Sequence, residues 1–281
     1  MTDEQEPATI DTDLAAPRPV AEAIGTIAFN RTVNARYRHM AVSVPQPMLA
    51  ARPGQFFQLL CPGHGSGTHV LRRPMSVYRL DRAEGRVEFL YKLVGTGTRA
   101  LAQLRCGDPL NLFGPLGNGF RLPAGARHVV LLARGVGLAT LTPLAESAIA
   151  QGARVTAVLS ASEPAFVMSA DYLRGCGADV VVVTDADGSA QADRVEALLR
   201  RLVRERGCDL IATCGSSRLL QLAQRLGSEL GIAGQVAIEQ RMACGIGVCF
   251  CCVRPMRVEG QTVMRRVCHD GPVFDVQEVM A

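Results

Sequence analysis

The stretch HVVLLARGVGLATLTPLAE, residues 128–146, determines the fold class of the larger part of this chain. Its first six residues form an uninterrupted apolar run, which is typical of a strand buried on both faces of a parallel sheet. Gly135 and Gly137 follow at once and predict a tight turn with close backbone approach. The residues after this turn predict a helix over 138–151. A strand, a glycine turn and a helix in this order predict a ligand site at the end of the strand.

The same alternation of strands and helices continues downstream. Further apolar runs predict buried strands at 154–160, 178–186 and 208–215. Helices are predicted between and after them, at 165–175, 190–206 and 216–230. This order predicts a doubly wound parallel α/β domain of the NAD(P)-binding type over residues 123–235.

Upstream of this unit, strand and turn signals dominate residues 21–122. The run GQFFQLLC (54–61) is short and apolar and begins after a Pro-Gly turn. The run RVEFLYKLV (86–94) alternates, and its apolar face is formed by Val87, Phe89, Tyr91 and Leu93. Frequent glycine and proline residues predict a small antiparallel β-barrel. Residues 1–20, with three prolines and few large apolar groups, predict a disordered tail.

The cysteines are concentrated near the C-terminus, where CGIGVCFCC (244–252) holds four of the chain's ten. Four thiols in this region follow the spacing C-x4-C-x2-C-x15-C: Cys244, Cys249, Cys252 and Cys268. The first three match the plant-type ferredoxin spacing. Gly245 and Gly247 permit the positive φ angles that wrapping a loop around a two-iron cluster requires. The spacing therefore predicts a small [2Fe-2S] domain over 236–281 with these four cysteines as metal ligands.

Two other interpretations of this cluster stay open. Structural zinc usually takes two C-x2-C pairs or histidine partners, and the segment holds one such pair. Coincidental burial of the thiols would require cysteine usage far above average. Cys251 lies between two predicted ligands, so its side chain is expected to point elsewhere. The remaining cysteines are scattered and are expected to be packing residues: Cys61, Cys106, Cys176, Cys208 and Cys214.

The composition restricts the compartment and the partners. A chain of 281 residues with 48% hydrophobic and 20% charged residues is typical of a globular protein with two domains and a small third. The net charge of +4 comes without the clustered basic stripe of a nucleic-acid binder, so no nucleic-acid partner is expected. The acidic N-terminus lacks the regions of a secretory signal, and Arg134 interrupts the longest apolar run, so no membrane segment is expected. We therefore expect a cytoplasmic protein with reduced thiols.

Two segments of the barrel region have residues suited to a phosphate-bearing cofactor. In LRRPMSV (71–77), Arg73 lies three residues before Ser76, which is a span of roughly 10 Å in an extended chain. The guanidinium could pair with a diphosphate while the hydroxyl reaches a ring system. Taken alone, the segment is more typical of a surface turn than of a cofactor site.

The second such segment is LYKLVGTGTRAL (90–101), in which a strand enters a glycine-rich turn and then a helix. Gly95 and Gly97 allow the backbone to approach a phosphate, and Thr98 is placed to cap the helix. A helix N-terminus also attracts anions. Two segments of this kind in one barrel domain predict a nucleotide-like cofactor.

Two further glycine turns remain ambiguous. The turn in ATCGSSRLL (212–220) follows a second predicted parallel strand and lines the same sheet edge as the Gly135 turn. The ATCGSSRLL turn and the Gly135 turn could also be tight turns that bind no ligand. The segment GPLGNGF (114–120) joins the barrel to the sheet, where it could contact a bridging ligand or serve only as a linker.

These motifs, in this order, resemble the electron transfer subunit of the NAD-linked, two-subunit (class 1B) dihydroorotate dehydrogenase, a branch of the ferredoxin-reductase superfamily. The resemblance covers about residues 22–281 and is carried by LRRPMSV, GTGT, GPLGNGF, EQRMACGIGVCFCCV and VCHDGPVF. It implies a [2Fe-2S] cluster on the four cysteines and FAD on the barrel domain. The FAD contacts that it implies are Arg73, Pro74, Met75, Ser76, Leu90, Tyr91, Lys92, Gly97 and Thr98.

The resemblance also implies the partners. A catalytic subunit with FMN would oxidise dihydroorotate, and electrons would pass through the cluster and FAD to NAD⁺ in a hetero-oligomer, a heterotetramer in this family. The chain itself would then need no substrate-oxidation chemistry. Consistent with this, the sequence shows no acid-base pair and no Ser-His-Asp set. His269, next to a predicted ligand, could tune the cluster or face water.

The sequence departs from the family in the sheet domain. Where the family has a Gly-Gly-Gly turn, this chain has Ala133-Arg134-Gly135, and where the family has Cys-Gly-Pro it has Cys214-Gly215-Ser216. The Arg134 side chain could block a pyrophosphate or pair with it, so NAD, NADP and neither remain open as the nicotinamide partner. A second hypothesis keeps both cofactors but attaches them to another oxidoreductase that uses NADPH or a protein partner. A third is a zinc-stabilised interaction module.

Overall fold

A computed structural model describes residues 20–63 and 71–280 of the chain. The predicted disordered tail lies, apart from Val20, outside the described residues. The described part contains three sheets: one of seven strands, one of six strands and one of two strands.

The seven-stranded sheet is formed by the N-terminal part of the chain. Its strands are β1 (Ala21–Thr32), β2 (Tyr37–Ser43), β3 (Phe56–Leu59), β4 (Arg73–Ser76), β5 (Arg79–Asp81), β6 (Arg86–Lys92) and β7 (Pro109–Leu116). Their order is β4-β3-β7-β1-β2-β6-β5, and all neighbours are antiparallel. A short helix, α1 (Thr96–Leu101), connects β6 to β7. The end strands β4 and β5 are not paired with each other within the described residues, so the predicted barrel is an open half-barrel.

Strand β6 has the alternating pattern from which the sequence analysis predicted one apolar face. Val87, Phe89 and Tyr91 are buried in the core of the half-barrel, as the sequence predicts. The opposite face is buried too, at Glu88 and Leu90. Leu90 belongs to the core that contains the first helix of the parallel sheet, so β6 is covered on both faces.

The second sheet begins with five parallel strands. They are β8 (His128–Arg134), β9 (Arg154–Ala161), β10 (Asp179–Thr184), β11 (Leu210–Cys214) and β12 (Ala233–Ala237), in the order β10-β9-β8-β11-β12. The connecting helices are α2 (Leu138–Ala150), α3 (Ala170–Gly175), α4 (Ala192–Arg206) and α5 (Ser217–Leu230). The strand order reverses between β8 and β11, which is the switch point where such sheets bind ligands. The predicted doubly wound sheet is thereby confirmed.

The second predicted helix of this unit begins later than expected. The sequence predicts a helix from 165, but the α-helix starts at Ala170 and a short 3-10 turn, Pro164–Phe166, precedes it. Ser169 has a φ angle of 58°, which a regular helix does not allow. The left-handed backbone at this residue separates the two turns.

The C-terminal segment contains more regular structure than the sequence predicts. Strands β13 (Val253–Val258) and β14 (Gln261–Arg266) form a hairpin, and β15 (Val273–Asp275) pairs antiparallel with β12 at the edge of the parallel sheet. The sequence predicts none of these three strands. Strands β12 and β15 are only five and three residues long, and neither has an alternating or continuously apolar run.

One hydrophobic core connects all three sheets. It contains Phe56 and Leu116 from the half-barrel, Leu132 from the parallel sheet, and Cys252 and Cys268 from the C-terminal segment. The cysteine loop is thus packed against both larger units. No helix within the described residues is long and apolar enough to span a membrane.

Candidate functional site

A cavity of about 650 Å³ lies between the half-barrel and the carboxyl edge of the parallel sheet. Nine of the eleven cofactor-binding residues predicted from the sequence line it: Arg73, Pro74, Met75, Ser76, Leu90, Tyr91, Lys92, Thr98 and Gly135. Its volume falls within the usual range for small-molecule and cofactor sites. The structure therefore brings together segments that are more than sixty residues apart in the chain.

Gly97 does not line the cavity but supports a residue that does. A Cβ atom at Gly97 would lie 2.7 Å from Nε of Arg73 and 3.0 Å from its Cζ. The Arg73 guanidinium also donates to the carbonyl oxygens of Leu71, at 2.5 Å, and of Arg72. The absence of a side chain at Gly97 is thus what lets the arginine lie across the glycine-rich turn.

Thr98 caps helix α1, as the sequence predicts. Its Oγ1 accepts hydrogen bonds from the backbone N–H groups of Val94 (3.0 Å) and Gly95 (3.1 Å). These bonds fix the turn that faces Arg73, so the two predicted phosphate segments form one wall of the cavity.

The three β6 residues contribute in different ways. Leu90 packs on the side of the parallel sheet, and Lys92 is exposed at the rim. The ring of Tyr91 belongs to the half-barrel core, and its hydroxyl donates to Oδ1 of Asn30 at 3.0 Å. Because neighbouring residues of a strand face opposite sides, the Tyr91 side chain points away from the cavity.

The opposite wall is the switch point of the parallel sheet. Gly135, which follows β8, and Gly215, which follows β11, both line the cavity. Gly137 does not line it. A Cβ atom at Gly137 would lie 2.5 Å from the carbonyl oxygen of Cys214, so this glycine is required for packing against the end of β11.

Arg134, the departure from the family pattern, lines the same wall. Its guanidinium donates to the hydroxyl of Ser160 at 2.8 Å and to Oδ2 of Asp185 at 2.5 Å. The hydrogen bonds from Arg134 lower the pKa of Asp185, so the carboxylate is ionised at neutral pH. The positive charge of Arg134 is therefore already paired within the chain.

Sequence reasoning missed several polar groups of the cavity, among them Tyr37 and Glu239. Burial raises the pKa of Glu239, and the nearby Lys92 opposes this shift. Burial also raises the pKa of Tyr37, whose hydroxyl is 3.0 Å from the position of a Cβ at Gly135. The only signal for Glu239 was its place just before the cysteine loop.

The four predicted metal ligands are arranged as two pairs. The Sγ atoms of Cys252 and Cys268 are 3.2 Å apart, and both are buried. The Cys249 side chain lies close enough to Cys244 to lower the pKa of its thiol. Among the described residues, no three His, Cys, Asp or Glu side chains gather at one single-ion site. Two pairs of thiols are the donor set that a two-iron cluster requires, with two thiolates on each iron.

Gly245 and Gly247 shape the loop as the sequence predicts. Their φ angles are 78° and 84°, in the left-handed region that favours glycine. A Cβ atom at Gly247 would lie 2.8 Å from Cβ of His269. Only glycine therefore lets the first loop approach the loop that supplies the fourth thiol.

Backbone amides give the thiols unequal acidity. Burial alone raises the pKa of Cys244, but hydrogen bonds from the amides of Ile246 and Cys249 outweigh it and lower this pKa to about 6. Burial and the neighbouring Cys252 thiol raise the pKa of Cys268 to about 12. The thiol of Cys244 is thus more acidic than that of Cys268 before a metal binds.

Neighbouring groups hold the two loops together. The Arg266 guanidinium donates to Asp270 Oδ1 (3.0 Å) and to the carbonyl oxygen of Gly247 (3.3 Å). His269 contacts both charged groups and has an exposed side chain. Cys251 is exposed, and its thiol is directed at the carbonyl oxygen of Arg241, away from the pairs.

The segment GPLGNGF contacts the C-terminal loop. The side-chain amide of Asn118 donates to the carbonyl oxygens of His269 (3.0 Å) and Asp270 (3.2 Å). A Cβ atom at Gly117 would lie 2.6 Å from Cδ of Pro272. Because these contacts fix the loop that carries Cys268, the segment does more than link two domains.

Phe56 connects the cavity and the cysteines. It lines the cavity and belongs to the same buried core as Cys252 and Cys268. The cavity and the Cys252–Cys268 pair are therefore linked through one hydrophobic core that includes Phe56.

Two family models match the chain. The iron-sulfur cluster binding domain of dihydroorotate dehydrogenase B matches residues 239–280, and the oxidoreductase FAD-binding domain matches residues 28–120. The first range contains both thiol pairs, and the second contains the Arg73 and Thr98 wall of the cavity.

Curated relatives extend this similarity over most of the chain. The dihydroorotate dehydrogenase B (NAD(+)) electron transfer subunit of Desulforamulus reducens is 31% identical over 242 residues, which cover 86% of this chain and 92% of that protein. The subunit of the same name from Bacillus caldolyticus is 34% identical over 260 residues, or 91% of this chain and 97% of that protein.

Solved structures agree on the fold. The NADH-dependent reduced ferredoxin-NADP oxidoreductase is 28% identical with a TM-score of 0.78, covering 92% of this chain and 90% of that chain. A ferredoxin reductase of carbazole 1,9a-dioxygenase is 20% identical with a TM-score of 0.62, covering 76% and 67%, and shows the fold alone.

The half-barrel, the doubly wound sheet and the thiol pairs define a ferredoxin-reductase-type electron transfer protein with an appended iron-sulfur domain. The matches confirm FAD and an iron-sulfur cluster as the cofactors of this class. The chain belongs to the family of dihydroorotate dehydrogenase B (NAD(+)) electron transfer subunits. The resemblance drawn from the motifs is confirmed.

Proposed function

We propose that this chain passes electrons between a catalytic, FMN-containing dihydroorotate dehydrogenase subunit and NAD⁺, by way of a [2Fe-2S] cluster and FAD. The observation that supports the proposal most is that Phe56 lines the cavity and shares one hydrophobic core with Cys252 and Cys268. The relatives with this name match nearly the whole chain. No acid-base pair for substrate oxidation is needed on this subunit.

We propose that FAD occupies the cavity along its half-barrel wall. Arg73 and the N-terminal turn of α1 would hold the phosphates, because a guanidinium and free backbone amides both favour an anion. Ser76 and the backbone of β6 would contact the ring system. When bound, FAD exchanges a hydride with a nicotinamide and single electrons with an iron-sulfur centre.

We propose that Cys244, Cys249, Cys252 and Cys268 hold the cluster, which when bound carries one electron at a time. The positive-φ glycines and the Arg266–Asp270 pair keep the two loops in place. In this proposal each of three domains binds one cofactor. Residues 21–122 bind FAD, residues 123–235 bind the nicotinamide, and residues 236–281 bind the cluster.

We propose that Gly135 and Gly215 receive the nicotinamide cofactor at the switch point, with Gly137 keeping the turn close to β11. Arg134 is held to the side by Ser160 and Asp185, so it leaves the turn accessible instead of covering it. Because Asp185 pairs with Arg134, this arginine offers no unpaired charge to an extra phosphate on the ribose, which favours NAD over NADP.

The cluster loop itself offers a docking surface for the catalytic subunit. Ile246, Val248 and Phe250 are 43%, 68% and 64% exposed, although all three are large and apolar. Such a patch beside a redox centre is expected to be covered by a partner. All ten cysteines are free, and we propose that the complex works in the reducing cytoplasm.

A second candidate keeps the cofactors but changes the partner. The similarity to the NADH-dependent reduced ferredoxin-NADP oxidoreductase covers more than nine-tenths of this chain at a TM-score of 0.78. In this alternative, the chain would serve an oxidoreductase whose outer partner is a redox protein or NADPH.

Reconstitution with the catalytic subunit tests the main proposal. The chain, loaded with both cofactors under anaerobic conditions, is mixed with the FMN subunit from the same organism. We expect a stable complex and NADH formation that requires dihydroorotate and both proteins. A chain that forms no complex and is reduced only by NADPH or by reduced ferredoxin would contradict the main proposal and support the second candidate.

A further inference from the structure

Gln58 is a fully buried side chain without a hydrogen-bond partner. Its relative exposure is 0%, and both Nε2 and Oε1 lack a partner within the described part of the chain. Buried amides in proteins are almost always satisfied, because burying an unpaired polar group costs free energy. The side chain is therefore available to a hydrogen-bond partner outside the described residues, such as a group of a bound ligand.

The position of Gln58 in β3 explains where this partner must lie. Phe57 and Leu59, on either side of it, point into the half-barrel core. Gln58 consequently points to the opposite face of the strand, the face on which Phe56 meets the cysteine core. In the sheet, Gln58 is paired with Pro74, which lines the cofactor cavity.

The amide is directed at the cluster loop. A Cβ atom at Gly245 would lie 2.8 Å from Nε2 of Gln58 and 2.9 Å from its Cγ. Gly245 directly follows Cys244, the first predicted ligand, and the amide of Ile246 already donates to the Cys244 sulfur at 3.5 Å. The glycine thus leaves space through which the Gln58 amide can reach the region enclosed by the thiols.

We infer that Nε2 of Gln58 donates a hydrogen bond to a sulfur atom of the iron-sulfur cluster and thereby raises its reduction potential. The inference rests on the proposed cluster site. Cluster sulfurs carry more negative charge after reduction, so a donor N–H stabilises the reduced state more than the oxidised state. Gln58 would couple the two cofactor sites, since it lies on the strand next to the flavin-binding β4.

The test replaces the amide without changing the length of the side chain. In Gln58→Met, the donor and acceptor are removed and the volume is kept. We expect an intact cluster whose equilibrium constant for one-electron reduction falls roughly tenfold, or about 59 mV. The potential is measured by redox titration followed by electron paramagnetic resonance, with no need for enzyme turnover.

Gln55→Leu is the matched control. Gln55 is also buried, but its amide donates to the carbonyl oxygen of Gly117 at 2.8 Å and its Oε1 accepts from the amide of Arg52 at 2.8 Å. Gln55→Leu should lower the stability of the protein and leave the reduction potential of the cluster unchanged. If Gln58→Met does not fold, Gln58→Asn retracts the amide by one methylene and is expected to lower the potential in the same direction.

Two results would overturn the inference. One is a wild-type cluster potential in both Gln58 variants, and the other is a shift of the flavin spectrum or potential with an unchanged cluster, which would assign the amide to FAD. A wild-type protein that binds no iron at all would instead contradict the proposed cluster site, so the two failures are distinguishable.

Discussion

The two walls of the cofactor cavity each carry an arginine, and the two arginines differ in what they are free to bind. Arg73, on the half-barrel wall, bonds to backbone carbonyl oxygens and forms no ion pair within residues 20–63 and 71–280. Arg134, on the parallel-sheet wall, is paired with Asp185. An arginine without a carboxylate partner keeps its full charge for a phosphate, whereas a paired one does not. The comparison therefore predicts tight FAD binding through Arg73 and a minor role for Arg134.

The largest expected effect is on Arg73. Arg73→Ala should weaken FAD binding by roughly 10- to 150-fold, because a charge-assisted hydrogen bond contributes about 1.5 to 3 kcal/mol. Flavin retained after ultrafiltration gives the measurement. Arg72→Ala is the control, since Arg72 bonds to Glu22 and Asn111 outside the cavity. Equal losses of flavin from the Arg73→Ala and Arg72→Ala variants would contradict a specific role of Arg73 in FAD binding.

A smaller effect is expected when Arg73 is displaced instead of removed. In Gly97→Ala, the added Cβ would lie 2.7 Å from Nε of Arg73, so the side chain must shift. We expect FAD affinity to fall roughly three- to tenfold, which is about 1 kcal/mol. Gly95→Ala, on the same turn, adds a Cβ with nothing within 4 Å and should retain the wild-type affinity. Similar affinities in the two variants would contradict the role given to Gly97.

Arg134 should affect the choice between NADPH and NADH mainly when its partner Asp185 is removed. In Asp185→Asn the charge of Arg134 is released, and we expect NADPH to gain affinity over NADH by a few-fold. Arg134→Ala alone should change NADH binding less than Arg73→Ala changes FAD binding. Stopped-flow reduction of the flavin at several NADH and NADPH concentrations measures both. A large loss of NADH binding in Arg134→Ala would show that the ion pair does not neutralise this residue.

The smallest effect is expected at Tyr91. Its hydroxyl bonds to Asn30 inside the half-barrel core, away from the cavity. Tyr91→Phe should lower stability by about 1 kcal/mol and leave FAD binding unchanged. Thermal unfolding and flavin retention together check this, and a loss of flavin at unchanged stability would place the hydroxyl in the cavity.

Much of this arrangement could be predicted from the sequence because its signals are local. The buried apolar runs predicted the parallel strands, and the alternation of apolar and polar residues predicted β6. The cysteine spacing and the two glycines between the ligands predicted a loop whose φ angles are positive at both. Each of these features depends on residues that are neighbours in the chain.

What could not be predicted depends on residues far apart. Strand β15 is three residues long and exists only because β12 offers it an edge. The neutralising partner of Arg134 lies 51 residues downstream, and the contact between Gln58 and Gly245 spans most of the chain. Gly137 was predicted to approach a cofactor, whereas in the structure its Cβ position is blocked by Cys214. All four of these features depend on tertiary packing between residues that are distant in the chain.

The proposed function depends most on whether the two thiol pairs hold iron beside the cavity proposed for FAD. Protein prepared anaerobically should contain about two irons per chain and, once reduced with dithionite, give the electron paramagnetic resonance signal of a reduced [2Fe-2S] centre. Cys251→Ser should keep this signal, because its thiol points away from the pairs, while Cys268→Ser should lose it. Wild-type protein that contains zinc in place of iron, and is silent after reduction, would contradict the account.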